Sequence, residues 1–202
     1  MIITKSFLNS VATDNNITED SQASILLENK SYFSASSNIS QNRTYDVFLS
    51  HSYLDKIQIL ALVKLFNRHG FSVYVDWLED KQLNREDVTE QTADLLRKRM
   101  QQSRCLSYVT TKNITSSKWC PWELGYFDGL KRSKCCILPI LNYGDKFHGQ
   151  EYLGLYSYLE YASLPGIDNN ITFYVCNKKR TKFIKLHDWL NNSEKYHEGI
   201  LV

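Results

Sequence analysis

Short runs rich in β-branched and aromatic residues alternate with longer amphipathic segments from residue 45 onward. The amphipathic segments carry apolar residues at helical spacing, whereas the short runs are typical of buried strands. Helical connections of about 12 to 17 residues between such strands imply right-handed crossovers and a mainly parallel sheet with helices on both faces. The sequence therefore predicts a flavodoxin-like α/β fold, in which ligands bind at the carboxyl ends of the strands. The predicted strands are 45–49, 71–75, 104–109, 135–140 and 158–161, and the predicted helices are 55–69, 85–101 and 118–130.

Two residues mark helix boundaries in this pattern. Gly70 directly follows the helix 55–69, at the place where a residue in the left-handed conformation commonly ends a helix. Asn84 directly precedes the helix 85–101, where its side chain is suited to accept hydrogen bonds from free backbone N–H groups. Both residues therefore support the predicted helix ends.

The two ends of the chain differ in residue composition and pattern from this regular part. Residues 1–44 are rich in Ser, Asn and Thr, and we expect a flexible N-terminal extension with at most one short helix near 20–29. In the C-terminal extension, 163–202, the pattern predicts an edge strand at 171–176 and a closing helix at 181–190 that packs on the central domain. The basic cluster at 178–185 is expected to be a solvated face.

Composition excludes several classes of protein. With 24 Lys+Arg against 22 Asp+Glu, the net charge of +2 argues against a nucleic-acid partner. No apolar run approaches the 18 or so residues of a membrane span, and the first residues do not resemble a signal peptide. The 5 cysteines contain no C-x-x-C, so reduced, mostly buried thiols are expected rather than a disulfide framework or a metal site. The expected location is the cytoplasm.

Polar residues follow the first two predicted strands, at the edge where ligands are expected. The loop Ser50-His51-Ser52-Tyr53 could hold a nucleophilic serine, but no G-x-S-x-G elbow is present, and adjacent residues rarely reach triad geometry. A loop that contacts a ligand is the favoured interpretation. Asp76 follows the second strand, where it could receive ribose hydroxyls or serve equally well as a turn residue.

The most specific pattern is Trp119-x-x-x-Glu123, because residues four apart lie one above the other on a helix. The indole is suited to stack on a base while the carboxylate takes ribose hydroxyls. Pro121 places the helix start nearby, with Ser117 or Cys120 as its cap, so the helix dipole favours ionised Glu123. Such a carboxylate can stabilise an oxocarbenium-like transition state. The spacing alone favours the alternative, in which Glu123 is a capping-box carboxylate and two tryptophans pack in the core.

Three segments together resemble a Toll/interleukin-1 receptor (TIR) domain over about 45–162: Tyr45-Asp46-Val47-Phe48-Leu49-Ser50-His51-Ser52, Gly70-Phe71-Ser72-Val73-Tyr74-Val75-Asp76, and Ser117-Lys118-Trp119-Cys120 with Glu123-Leu124. Trp119-x-x-x-Glu123 is similar to the W-x-x-x-E motif of TIR domains that cleave NAD+. The resemblance implies a five-stranded parallel sheet and raises the functional interpretation of Glu123 above the structural one. It implies that Glu123 is catalytic. It also implies substrate contacts from Trp119, by stacking, and from Phe48, Ser50, His51 and Asp76, the last at the start of the BB loop.

Within the TIR family, the chain resembles the bacterial antiphage, Thoeris-like branch. The resemblance implies an NAD+ glycohydrolase or ADP-ribosyl cyclase that makes an ADP-ribose-derived, in some members cyclic, signal for a separate effector protein. NAD+ is then the substrate, no cofactor is expected, and self-association through TIR surfaces is implied. The alternative is a non-catalytic TIR scaffold that assembles partners through its BB loop. The presence of Glu123 argues against this alternative.

Two other classes share parts of this pattern. A phosphoacceptor receiver domain has the same sheet topology, but Ser50-His51 and Val109-Thr110 stand where its acidic residues would be, which excludes it. A deoxyribosyltransferase-like enzyme, which also holds a carboxylate near a sugar, stays a distant alternative. The expected organisation is thus an extension over 1–44, a TIR domain over 45–162 and an extension over 163–202.

Overall fold

The computed structural model describes residues 3–32, 44–80, 89–114, 117–142, 151–165, 168–199 and 201. Within these ranges the strands form one sheet flanked by helices. The strands are β1 (Tyr45–Ser50), β2 (Val73–Tyr74), β3 (Ser103–Thr110), β4 (Cys135–Pro139), β5 (Ser157–Leu164), β6 (Asp168–Cys176), β7 (Lys182–Lys185) and β8 (His197–Glu198). The helices are α1 (Lys5–Asp14), α2 (Gln22–Ser31), α3 (Lys56–Arg68), α4 (Asp76–Glu79), α5 (Glu90–Gln101), α6 (Trp119–Leu130) and α7 (Leu186–Leu190).

The sheet has the order β2-β1-β3-β4-β5-β6-β7-β8. Its first five strands are parallel, with Val47 of β1 opposite Val73 of β2 and Cys105 of β3. The predicted flavodoxin-like arrangement of five mainly parallel strands is therefore confirmed. The last three strands are antiparallel and extend the same sheet beyond β5.

The C-terminal segment differs from its prediction in two ways. The predicted edge strand, β6, lies between β5 and β7 and is not an edge. The predicted helix 181–190 is also wrong in its first half, where β7 pairs with β6 and only Leu186–Leu190 is helical. Phe183 and Ile184 are both buried but belong to different apolar clusters, which a strand achieves because successive side chains point to opposite faces.

Helices cover both faces of the sheet, as predicted. One face packs against α1, α2, α3 and α7 through a large apolar cluster that includes Leu8, Leu60 and Trp189. The other face packs against α5 and α6 through a second cluster that includes Leu96 and Phe127. The carboxyl ends of the parallel strands lie at one edge of these two layers, where ligands are expected to bind.

The N-terminal extension contains two packed helices, so the expectation of at most one short helix is wrong. The Thr4 hydroxyl caps α1 by accepting a hydrogen bond from the Phe7 N–H, at 3.1 Å. Leu8, Val11 and Ala12 are buried against α3 because their spacing forms an apolar stripe within an otherwise polar segment. The extension also reaches the segment after β4, since Thr4 forms an isolated parallel bridge with Leu141, two residues beyond the end of that strand.

One of the predicted helix boundaries is confirmed and another is not. Gly70 follows α3 with φ of +80°, the left-handed conformation expected of it. The predicted helix 85–101 starts later than expected, at Glu90, because Thr89 is extended and its side chain accepts from the Thr92 N–H at 3.2 Å. Asn84 lies outside the described residues.

The predicted burial of the cysteines is confirmed, since all five are buried, and their thiols are free in this structure. No group of three or more His, Cys, Asp or Glu residues suited to a metal ion occurs in the described ranges. None of the helices in those ranges is long and apolar enough to cross a membrane.

Candidate active site

A buried hydrogen bond between Ser50 and Glu123 lies at the carboxyl edge of the sheet. Ser50 ends β1, and its side chain points to the same face as Phe48 because side chains alternate along a strand. Its Oγ donates to Glu123 Oε2 at 2.6 Å, and neither residue has any exposed surface. A buried carboxylate needs such donors to offset the loss of water, so this contact fixes the position of the Glu123 carboxylate.

The start of α6 carries Glu123 to this position. The Ser117 hydroxyl accepts a hydrogen bond from the Cys120 N–H at 3.2 Å, which identifies Ser117 as the capping side chain. Pro121 is the third helical residue, inside the first turn where proline is tolerated. Glu123 follows within one turn, where the positive end of the helix dipole favours a negative charge.

His51 lies directly after Ser50 and connects three parts of the edge. Its Nε2 accepts from the Trp77 Nε1–H at 2.7 Å, since an indole N–H can only donate. Its Nδ1 therefore carries the proton and donates to the Leu49 carbonyl at 2.7 Å. The Cys120 thiol in turn donates to the His51 carbonyl at 3.2 Å. His51 thus joins β1 to α4 and α6 in the form of a neutral imidazole.

The structure brings Ser50, His51, Asp76 and Glu123 to one edge. Asp76 begins α4, is almost fully buried, and has Oδ1 at 3.9 Å from His51 Nε2. Sequence reasoning missed Trp77, although its place beside Asp76, directly after a strand that ends at this edge, was a usable signal. Through its hydrogen bond to His51, Trp77 connects α4 to the loop that follows β1.

Phe48 and Trp119 lie in the apolar layer between the sheet and α5–α6. Phe48 stacks on Tyr74 with ring centroids 5.0 Å apart. The Trp119 side chain is only 6% exposed and meets Trp122 edge to face at 5.4 Å. Both rings therefore contribute to packing in this structure, and stacking of Trp119 on a substrate stays a prediction.

A second buried network lies beside the site. Arg99 on α5 donates to both oxygens of Asp80, from Nη2 at 2.7 Å and from Nε at 2.8 Å, and the Tyr74 hydroxyl donates to Asp80 at 2.9 Å. Hydrogen bonding to Asp80 raises the pKa of Arg99, and burial raises the pKa of Tyr74 well above its usual value. The network joins the residue before segment 81–88 to the helix after it. Most of the expected BB loop falls in that segment, outside the described residues.

The arrangement suits chemistry on a sugar. A carboxylate in a water-poor environment can accept sugar hydroxyls and stabilise positive charge that develops on an adjacent anomeric carbon. The hydroxyl, imidazole and indole around it are uncharged donors and acceptors that can orient a polar ligand.

Comparisons with known proteins identify the family. No family model matches the chain. It is 43% identical over 158 residues to "Probable 3' cyclic ADP-D-ribose synthase ThsB'" from Bacillus cereus (strain MSX-D12), covering 77% of this chain and 80% of that protein. It is 39% identical over 116 residues to "Putative cyclic ADP-D-ribose synthase TIR2" from Cytobacillus dafuensis, covering 57% of this chain and 30% of that protein.

Among solved structures, the TIR domain of the Toll-related receptor TRR-2 from Hydra magnipapillata is similar at 19% identity with a TM-score of 0.44. The match covers 57% of this chain and 82% of that one. The family assignment does not depend on this weak likeness, because the similarity to ThsB' extends over most of both sequences. The chain belongs to the bacterial ThsB'-type TIR proteins, in agreement with the Thoeris-like TIR resemblance predicted from its sequence.

Proposed function

We propose that the protein cleaves the nicotinamide–ribose bond of NAD+ and closes the remaining ADP-ribosyl group into a cyclic ADP-ribose that serves as a signal in antiviral defence. The observation that carries the proposal is the buried Glu123 carboxylate, held by Ser50 at the edge of the sheet where ligands of this fold bind. The names of the two relatives, both cyclic ADP-D-ribose synthases, support the reaction class.

The chemistry assigned to Glu123 is electrostatic. When the bond between nicotinamide and C1′ of the ribose breaks, its electron pair leaves with nicotinamide, which departs neutral. The positive charge left on C1′ and the ring oxygen is stabilised by the carboxylate, which also accepts a ribose hydroxyl. An acceptor in the same ADP-ribosyl group then attacks C1′ and loses its proton, whereas attack by water gives free ADP-ribose.

The surrounding residues are assigned to binding. Ser50 orients the Glu123 carboxylate, and His51 and Asp76 lie beside it as ligand contacts. Phe48 and Trp119 are assigned to the wall of the site, where Phe48 is fully buried and Trp119 is 6% exposed. Because the net charge of the chain is only +2, binding of an anionic dinucleotide depends on such placed contacts rather than on a basic field.

The proposal extends to the setting of the enzyme. We place it in the cytoplasm, where NAD+ is available, and we assign its product to a separate effector protein. Self-association through TIR surfaces is proposed to regulate it. A non-catalytic scaffold is the competing function, and the buried carboxylate of Glu123 argues against it because a scaffold has no need of one.

The test is incubation of purified protein with NAD+ and separation of the products by liquid chromatography and mass spectrometry. We expect wild type to consume NAD+ and Glu123→Gln, which keeps the side-chain shape and an acceptor for Ser50, to be inactive. Glu160→Gln is the matched control, because Glu160 is a buried glutamate on β5 that pairs with Arg180, in the turn between β6 and β7. Equal rates for wild type and Glu123→Gln would remove Glu123 from the mechanism. If neither wild type nor Glu123→Gln consumes NAD+, as purified protein or in lysate from infected cells, the scaffold function is favoured.

A further inference from the structure

The side chain of Asn29 covers the edge of the sheet at β2. Val73 pairs with β1 on one side, and its own N–H and C=O point away from β1. Asn29 Oδ1 accepts from the Val73 N–H at 2.8 Å, and Asn29 Nδ2 donates to the Val73 carbonyl at 2.7 Å. An amide side chain has the same donor and acceptor as a peptide group, so Asn29 takes the place of a neighbouring strand.

The same amide also contacts α4. Asn29 Nδ2 lies 3.3 Å from Glu79 Oε1, at the last residue of that helix. Ile25 on α2 and Leu78 on α4 belong to the same apolar cluster, so packing reinforces the polar contact. Asn29 is only 1% exposed, and its hydrogen bonds therefore form where water does not compete. The N-terminal extension thus holds both β2 and α4.

The helix that Asn29 holds carries two residues at the edge where the proposed NAD+ site lies. Asp76 and Trp77 form the first turn of α4, and Trp77 donates to His51. Ser50 and Glu123 lie on β1 and α6 instead, and their mutual hydrogen bond does not involve α4. Displacement of α4 would therefore disturb substrate contacts while leaving the carboxylate of Glu123 in place.

We propose that Asn29 is a positioning residue of the substrate site, which sets α4 so that Asp76 and Trp77 can bind NAD+. The inference rests on the proposed function and adds a contribution from the N-terminal extension to it. Asn29 touches no reacting atom, so its contribution is to substrate affinity and not to the bond-breaking step.

Two substitutions test the role in steady-state kinetics. Asn29→Leu removes the amide, and Asn29→Asp keeps its shape but places a carboxylate oxygen against the Val73 carbonyl and Glu79. We expect both to raise KM about tenfold with kcat within about twofold of wild type, as for loss of binding energy alone. A merely structural role would lower the fraction of folded enzyme, which lowers apparent kcat and leaves KM unchanged. An unchanged KM would overturn the proposal.

Two controls separate the positioning of α4 by Asn29 from a general effect of added negative charge on KM. Asn9→Asp makes the same change on exposed α1, where Asn9 Oδ1 accepts from Gln58 at 2.8 Å and an aspartate can still accept, so KM should stay at the wild-type value. Glu79→Gln combined with Asn29→Asp supplies an amide that donates to the carboxylate introduced at position 29, and KM should fall back toward wild type. A raised KM in Asn9→Asp would show that added negative charge alone repels the substrate and would refute the role of Asn29.

A readout independent of turnover completes the test. The indole N–H resonance of Trp77 in ¹⁵N-labelled protein reports its hydrogen bond to His51, and we expect it to shift in both Asn29 variants and not in Asn9→Asp. An unshifted resonance would overturn the inference whether or not NAD+ is consumed. If wild type consumes no NAD+ either as purified protein or in lysate from infected cells, the proposed function fails by itself, and the resonance still decides whether Asn29 positions α4.

Discussion

Ser50 and Glu123 are 73 positions apart in the chain, yet the Ser50 hydroxyl lies 2.6 Å from the Glu123 carboxylate in a fully buried contact. A distance this short is typical of a hydroxyl that donates to an ionised carboxylate. The contact joins the end of the central strand β1 to the first turns of α6. The orientation of the proposed catalytic group is therefore determined by a neutral donor on a rigid strand.

Removal of that donor should slow the reaction. In Ser50→Ala, Glu123 loses a hydrogen bond of the charge-assisted kind, and we expect kcat to fall by about 10- to 100-fold. The measurement is the initial rate of NAD+ consumption by liquid chromatography. Ser103→Ala is the matched control, because Ser103 is equally buried but bonds to the Arg99 carbonyl at the amino end of β3. Equal rates in the two variants would contradict the role of Ser50.

Truncation of Trp119 should reduce stability. The side chain is 6% exposed within the cluster around Phe127, so Trp119→Ala should lower the free energy of unfolding by about 3–5 kcal/mol. Urea denaturation monitored by circular dichroism measures the change. Trp122→Ala on the same helix should cost less, because Trp122 is half-buried. A Trp119→Ala protein with wild-type stability and weakened NAD+ binding would instead favour stacking on the substrate.

Stability should decline in alkaline solution. Burial raises the pKa of the Cys136 thiol to about 12 and likewise that of Cys176 to about 12, from an ordinary value of 9.0. Below pH 9 both thiols stay protonated in the folded and unfolded chains, so their contribution is fully present. Between pH 9 and 12 the thiols lose their protons in the unfolded chain but keep them in the folded one. Each thiol should therefore lower the free energy of unfolding by about 1.4 kcal/mol per pH unit.

Urea titrations at a series of pH values measure this decline. Cys136→Ala removes one titrating group, so its stability should fall less steeply above pH 9 than that of wild type. Cys120→Ala is less suitable as a variant, because its thiol donates to His51 at the site. Identical slopes for wild type and Cys136→Ala would show that the Cys136 thiol does not titrate differently in the two states.

Two glycines should respond in opposite ways to the same substitution. Gly70 has φ of +80°, so Gly70→Ala should destabilise the protein by about 1–2 kcal/mol through backbone strain. Gly125 lies inside α6, and an added Cβ there would meet nothing within 4 Å. Gly125→Ala should therefore stabilise the protein by about 1 kcal/mol, the difference in helix propensity. Chemical denaturation of the two variants side by side checks both signs.

The sequence predicted the parts of the fold whose signals are local. β1, β3 and β4 are short runs rich in apolar, aromatic and β-branched residues, and Gly70 follows a helix with a clear apolar face, so each could be predicted from a few residues. Leu8 and Val11 were overlooked because they are few among polar neighbours, and only contact with α3 gives them a buried face. The sequence pattern wrongly predicts a helix over residues 182–185, because so short a run shows no clear period.

The sequence indicated which residue types lie at the candidate site, but it did not predict the contacts between them. The residue types Ser50, His51, Asp76 and Glu123 stood at the ends of predicted strands or at a helix start, which placed them at one edge. The Ser50–Glu123 distance and the contact of Trp77 with His51 depend on how separate elements pack, and no local pattern encodes that. The contribution of Asn29 was hidden for the same reason, since its partner Val73 is 44 residues away.

The pairing of Asn29 with Val73 changes where the chain can be divided. A fragment that begins at Tyr45, where the composition changes, would lack Asn29 and expose both polar groups of Val73 at the end of the sheet. Unprotected strand edges pair with other chains, and the apolar face of α3 would be uncovered beside this one. Such a fragment would tend to aggregate through its edge, so recombinant expression and any transplant of this enzyme into a fusion protein should retain the N-terminal helices.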